Sequence, residues 1–236
     1  MGYGYYGWWD PTYVLVIIGA LVSLFASARV KGTFRKYSRC RSMSNMTGAQ
    51  AAERILHMAG IYDVIIRHVP GSLTDHYDPR NKTLNLSDTV YGSASVSAVG
   101  VAAHECGHAI QHQKNYAPLS IRSAIVPAAN FGSAVAWPLI LAGMFFTSST
   151  GALLIQIGII CFSFAVLFQL VTLPVEFNAS GRALNILETS GILNSGELKQ
   201  TRKVLGAAAL TYVAGAAAAI LQLLRLVLLF GGRNDN

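Results

Sequence analysis

His104, Glu105 and His108 stand in the order H-E-x-x-H, and their types and spacing could do chemistry together. On a helix, positions four apart share a face one turn apart, so both imidazoles can reach one metal ion. Glu105, one residue round, can address a water beside that ion without being a ligand itself. With six His in 236 residues and Glu scarcer still, the pattern is expected by chance only about 0.003 times.

A catalytic zinc takes three protein ligands and leaves a position for water, so a third ligand is needed. The extended pattern that adds a glycine and a third histidine is excluded, because Gln111 and Lys114 occupy those positions. His112 falls on the same helix face but about 12 Å from His104 along the axis, too far to share the ion. It is expected to be exposed or to support the site from behind. No histidine follows it, and the acids downstream are Glu176, Glu188, Glu197 and Asp235. Glu176 comes directly after the third apolar stretch, on the side assigned below to the motif, and is the expected ligand. Glu188 lies about three helical turns further on, and Glu197 falls in the turn-like Ser195-Gly196-Glu197.

The elements that must position these residues are largely membrane helices. The chain is 53% hydrophobic and only 12% charged, against about 25% charged in soluble domains. Residues 1–11 form an aromatic tail, with Trp8 and Trp9 suited to a membrane interface; no basic region precedes the first apolar stretch, so no signal peptide is expected. Apolar stretches at 12–28, 125–147, 152–174 and 204–230 predict four transmembrane helices. Arg29, Lys31, Arg35, Lys36, Arg39 and Arg41 follow the first at once. A basic run can bind nucleic acid, but this position marks a membrane flank, and no nucleic-acid partner is expected. The positive-inside rule then puts both termini outside a cell membrane, with 29–124 and 175–203 in the cytoplasm. Cys40, Cys106 and Cys161 are odd in number and scattered, which gives no disulfide framework and suits a reducing compartment.

The fold class expected is mainly α, with a small α+β zincin-like module at 29–124. Thr47 caps a helix to Met58 that turns Ala51, Ile55 and Met58 to one face and stops at Gly60. Tyr62 to Val69 reads as a strand, 75–81 as a polar turn, and Lys82 to Ser87 as a short strand that could pair with an extended substrate. Ser95 or Ser97 caps the helix carrying the motif, which Tyr116-Ala117-Pro118 ends. Pro127 and Pro138 mark kinks or boundaries in the second span, and 148–151 is a tight link to the third. Arg225, near the end of the fourth span, could snorkel to an interface.

Val101 to His112 and Leu173 to Leu184 resemble the YugP-type zinc-dependent membrane peptidase family, as do Asp75 to Pro79 and Tyr116 to Leu119. The resemblance runs from about residue 12 to residue 230. It implies a four-span metallopeptidase with two histidines and a glutamate on zinc. More distantly the chain is similar to the HtpX and CAAX-prenyl-protease class, in which an aspartate stands where this chain has Ser180. The closer family favours an aspartate at position 178 and an arginine at 181, where this chain has Asn178 and Gly181. These departures bear on the groups behind the ligands, whose loss typically costs about 10–100-fold in metal affinity or rate.

The expectation is therefore peptide-bond hydrolysis around one zinc ion held by His104, His108 and Glu176, with Glu105 as general base. Asn178 would support a ligand from behind, and Arg182, Tyr116 and His76 are candidates to meet the oxyanion. The partners implied are a protein or peptide substrate and the lipid bilayer; membrane partner proteins or a homo-oligomer are compatible. A non-catalytic scaffold with a structural zinc is the rival reading, marked by a fourth protein ligand in place of water. A metal transporter is not expected, because 125–147 and 152–174 contain no Asp, Glu, Lys, Arg or His.

Overall fold

The computed structural model describes residues 10–146 and 149–231; the aromatic tail, apart from Asp10 and Pro11, and part of the 148–151 link lie outside them. Among the described residues, six helices and three strands follow in the order α1 Tyr13–Tyr37, α2 Gly48–Met58, β1 Ile65–Val69, β2 His76–Asp78, β3 Thr83–Ser87, α3 Val96–Gln113, α4 Ala117–Phe145, α5 Ser149–Thr189 and α6 Ser195–Phe230. The fold is mainly α with a small sheet. Among the described residues α1, α4, α5 and α6 are long and apolar enough to cross a membrane.

Each of these four helices runs past its apolar stretch. Nothing in the basic run breaks α1, since Arg and Lys are good helix formers, and Arg29 to Lys36 continue it. Pro118 sits in the first turn of α4, where a missing N–H costs nothing. Tyr116-Ala117-Pro118 thus opens the next helix, while α3 ends at Lys114 and at Asn115 with φ of 48°. Pro127 and Pro138 lie inside α4, and Pro174 inside α5.

The chain divides into two compact units. The first comprises Met1–Phe25, Arg122–Val171 and Tyr212–Asn236. Its helices meet at small residues: a Cβ on Gly132 would lie 2.5 Å from the Cys161 carbonyl oxygen, and one on Gly158 2.6 Å from Ile140. Such close approach is how helices associate where lipid is as apolar as the side chains. Leu21, Phe25, Phe131 and Phe145 are exposed. Arg225 is not a solitary snorkelling residue: its guanidinium bonds Asp10 at 3.3 Å and lies 4.3 Å over the Tyr13 ring.

The second unit, Ala26–Ile121 with Thr172–Thr211, has an ordinary buried core. Ile55, Leu84, Leu86, Val99, Ala103, Ala183 and Leu187 are wholly enclosed in it. Thr47 makes a full capping box with Gln50 at the start of α2. The helix buries Ala51, Ala52, Ile55 and Leu56; Met58, expected on that face, is exposed. Residues 76–78, expected in a turn, form β2. A three-residue polar strand has no apolar alternation to betray it. The sheet order is β1-β3-β2, with β1 parallel and β2 antiparallel to β3. β3 is therefore the central strand, buried at all five positions. Both its edges are taken, so it cannot be the edge that pairs with a substrate.

Candidate metal centre

Ser95 caps α3, its hydroxyl accepting the Ala98 N–H at 3.2 Å. From there the helix is small on nearly every side. Ala98, Ala102, Ala103, Cys106 and Ala109 are buried and bring its backbone close to its neighbours. Gly107, inside the H-E-x-x-H motif, is the tightest point. A Cβ there would sit 2.5 Å from the Ala179 carbonyl oxygen of α5, so only glycine allows this approach. The contact sets Glu176, one turn before Ser180 on α5, against the two histidines.

His104 is held between those two α5 residues. Its Nε2 is 3.3 Å from Glu176 Oε2 and its Nδ1 is 3.1 Å from the Ser180 hydroxyl. His108 Nε2 is 3.6 Å from the same carboxylate oxygen, and its Nδ1 is 3.0 Å from Gln111 Oε1. The imidazoles meet edge to face with centroids 4.8 Å apart. One donor atom from each of His104, His108 and Glu176 lies within 4.8 Å of the others, a set that could hold a metal ion. Tetrahedral zinc ligands about 2.0–2.1 Å from the ion stand roughly 3.3 Å from one another, close to the two separations between Glu176 and the histidines. Both Nδ1 atoms are engaged by protein groups, so both Nε2 atoms face Glu176 as ligand atoms would. Three donors leave a fourth position for water.

Glu105 and Glu176 are buried, at 7% and 3% exposure. Burial works against a charged His108, but the Glu176 hydrogen bond and the charges of Glu105 and Glu176 outweigh it and raise the imidazole above its ordinary range. The same negative field favours a divalent cation. Cys106, within the motif, is no rival ligand. Burial first, and then the charge of Glu105, push its thiol well up, and it points its hydrogen at the Ala52 carbonyl.

The other expected residues fall in three places. Asn178 lies behind the histidines: its Oδ1 accepts from Gln111 Nε2 at 3.0 Å and from Arg182 Nε at 2.7 Å. Arg182 also lies 5.8 Å over the Tyr116 ring. His76 is tied into the sheet, Nδ1 to the Thr74 carbonyl and Nε2 to the Asn85 amide. His112 bonds the Tyr77 hydroxyl at 2.9 Å. Of the rival acids, Glu188 is exposed. Glu197 makes a reciprocal capping pair with Asn194 at the start of α6 and accepts the Met43 N–H, which accounts for both its oxygens.

Gln111 and Gly107 were not expected at the site, and Ser180 was noted only as a departure from the aspartate that supports the first histidine. Gln111 follows His108 by three residues, a spacing at which side chains on a helix can touch. Ser180 stands where an aspartate was missed, and its hydroxyl meets the first imidazole.

The family model described as "Putative neutral zinc metallopeptidase" matches residues 12–231. A Bacillus subtilis (strain 168) protein titled "Putative membrane protease YugP" is 49% identical over 226 residues, covering 95% of this chain and 99% of that one. No solved structure matches. Zinc is the ion the family implies, and the donor set of two imidazoles and one carboxylate suits it. With four helices able to span a bilayer and a membrane protease as a near full-length relative, the protein is a multi-pass membrane protein. The chain belongs to the neutral zinc metallopeptidase family.

Proposed function

We propose that the chain is an integral membrane zinc metalloendopeptidase that hydrolyses peptide bonds in membrane or membrane-proximal proteins. The observation that carries this reading is the convergence of His104, His108 and Glu176 beside Glu105. One zinc ion would be held by His104 Nε2, His108 Nε2 and a Glu176 oxygen. When bound, it supplies Lewis-acid charge that makes water a nucleophile near neutral pH.

Glu105 takes the proton from the attacking water and later passes it to the leaving amine. Its burial keeps competing solvent from that proton. Ser180 and Gln111 hold the imidazoles from behind, and Asn178 supports Gln111. Arg182 and Tyr116 face each other, so either must leave that pairing to meet an oxyanion. An extended substrate would pair with the outer edge of β2, whose Tyr77 reaches His112 on the motif helix.

The basic second half of α1 supports an orientation with both termini outside and the site facing the cytoplasm. In that topology the spans are 12–28, 125–147, 152–174 and 204–230.

Two variants test the reading. Glu105→Gln is expected to keep zinc while losing cleavage of membrane-protein substrates by about 10²–10⁴-fold. Glu176→Ala is expected to lose zinc on chelator competition. Undiminished cleavage by the first would remove the general base, and undiminished zinc affinity in the second would remove the third ligand.

A further inference from the structure

Gln111 is wholly buried, and every hydrogen-bonding atom of its amide has a partner. Those partners leave it one orientation. Arg182 Nε can only donate, so the Asn178 atom 2.7 Å away must be Oδ1. That oxygen in turn accepts from Gln111, at 3.0 Å. The Val175 carbonyl can only accept, and it too lies against the Gln111 nitrogen, at 2.8 Å. Two acceptors therefore fix the Gln111 nitrogen on the α5 side, and the Gln111 oxygen is left facing His108. An amide oxygen accepts, so His108 Nδ1 must carry the proton, 3.0 Å away. The lone pair of the neutral ring is then on Nε2, the atom aimed at Glu176.

We propose that Gln111 is the positioning residue for His108: through Val175, Asn178 and Arg182 it locks the imidazole as its Nδ1–H tautomer and so sets the zinc affinity of the site. The inference rests on the zinc-ligand reading above. In metal sites the group behind a ligating histidine is commonly a carboxylate or a carbonyl, and it fixes both tautomer and ring orientation. Here a neutral side-chain amide performs that task, itself oriented from a second helix. A carboxylate at 111 would serve His108 as well, but its other oxygen would meet the Val175 carbonyl and Asn178 Oδ1, both acceptors. A glutamine satisfies both sides at once.

The structure thus separates what Gln111 does for the metal from what it does for the fold. Gln111→Met fills the space and removes every hydrogen bond; Gln111→Glu keeps an acceptor for His108 and loses the donor to α5. Zinc affinity is measured on the full chain in detergent by chelator competition, beside the melting temperature of each zinc-free variant. Gln111→Met is expected to bind zinc about 10–100-fold more weakly. Gln111→Glu is expected to keep wild-type affinity while melting lower. In ¹⁵N-histidine spectra of the zinc-free wild type, recorded at alkaline pH where the ring is neutral, the His108 proton is expected on Nδ1.

Wild-type affinity in Gln111→Met overturns the proposal. So does a loss of affinity in both variants that tracks their melting temperatures, which is what a merely structural glutamine would give. If Gln111→Met does not fold, the wild-type spectrum decides, and a proton on His108 Nε2 is fatal. Failure of the zinc-ligand reading would show separately, as zinc binding that persists undiminished in Glu176→Ala.

Discussion

Gly132 and Gly107 make the same kind of contact, each admitting a backbone carbonyl to about 2.5 Å from where a Cβ would stand. Their surroundings differ. In the unit of Gly132, close approach of apolar helices is the main device, and among the described residues its charged groups are Asp10, Arg122 and Arg225. In the unit of Gly107, the close approach brings polar groups together: buried His108 bonds Gln111 through one ring nitrogen and faces Glu176 with the other, and both of those side chains are buried too. A helix contact in the first unit buys packing alone. In the second, the same contact also brings together the residues of the proposed metal site.

Substitution at the two glycines tests that difference most directly. Gly107→Val must part α3 from α5, and is expected to abolish measurable zinc binding as well as costing about 1–3 kcal/mol or more of stability. Gly132→Val is expected to cost a similar amount, about 1–3 kcal/mol, with zinc affinity unchanged. Chelator competition and thermal unfolding in detergent read both. Loss of zinc from Gly132→Val would erase the distinction between the units.

Acidification should also act on one unit. Burial disfavours a charged His108, but the Glu176 hydrogen bond and the charges of Glu105 and Glu176 leave its pKa above 6.5 without metal. A base raised on folding stabilises the zinc-free fold fully below 6.5 and gives that up as pH rises through the folded value. Zinc has to displace the proton, so its affinity is expected to fall as pH drops, beginning above 6.5. A zinc affinity flat from pH 8 to pH 6 would contradict this.

The smallest effects are expected from single polar contacts outside the site. Asp75 accepts the Ser87 N–H at 2.7 Å and its hydroxyl at 3.0 Å. Burial raises its carboxyl more than these bonds lower it. Its contribution is greatest below 3.8 and falls as pH rises through the folded value. Asp75→Asn keeps an acceptor for the N–H, and is expected to change stability at pH 7 by less than about 1 kcal/mol while flattening that pH slope. Arg225→Met removes the ion pair to Asp10 in the other unit and should cost about 1 kcal/mol or less, read as a shift in melting temperature with zinc affinity constant.

Much of the site was legible because helices carry local signals. The motif spacing, the Ser95 cap and the position of Glu176 after an apolar stretch are all patterns along the chain. The apolar stretches told where a bilayer could sit but not how long each helix is, since polar residues such as Arg29 and Arg182 continue a helix as readily as apolar ones. β2 was missed because its three polar residues have no periodicity, and with it the central place of β3. Gln111, Gly107 and the role of Ser180 were missed for another reason. Their partners on the facing helix lie 64 to 76 positions away, and of their contacts only the one between His108 and Gln111 is local in sequence.

The two histidines and Glu176 are separated by α4 and most of α5, and that ordering has a consequence during synthesis. A ribosome completes the H-E-x-x-H helix while Glu176, Ser180 and the carbonyl opposite Gly107 do not yet exist. The nascent chain can therefore offer two imidazoles but not the finished site, and in the proposed topology two spans must be made before it closes. A protease assembled in this order is silent until most of its own membrane insertion is behind it.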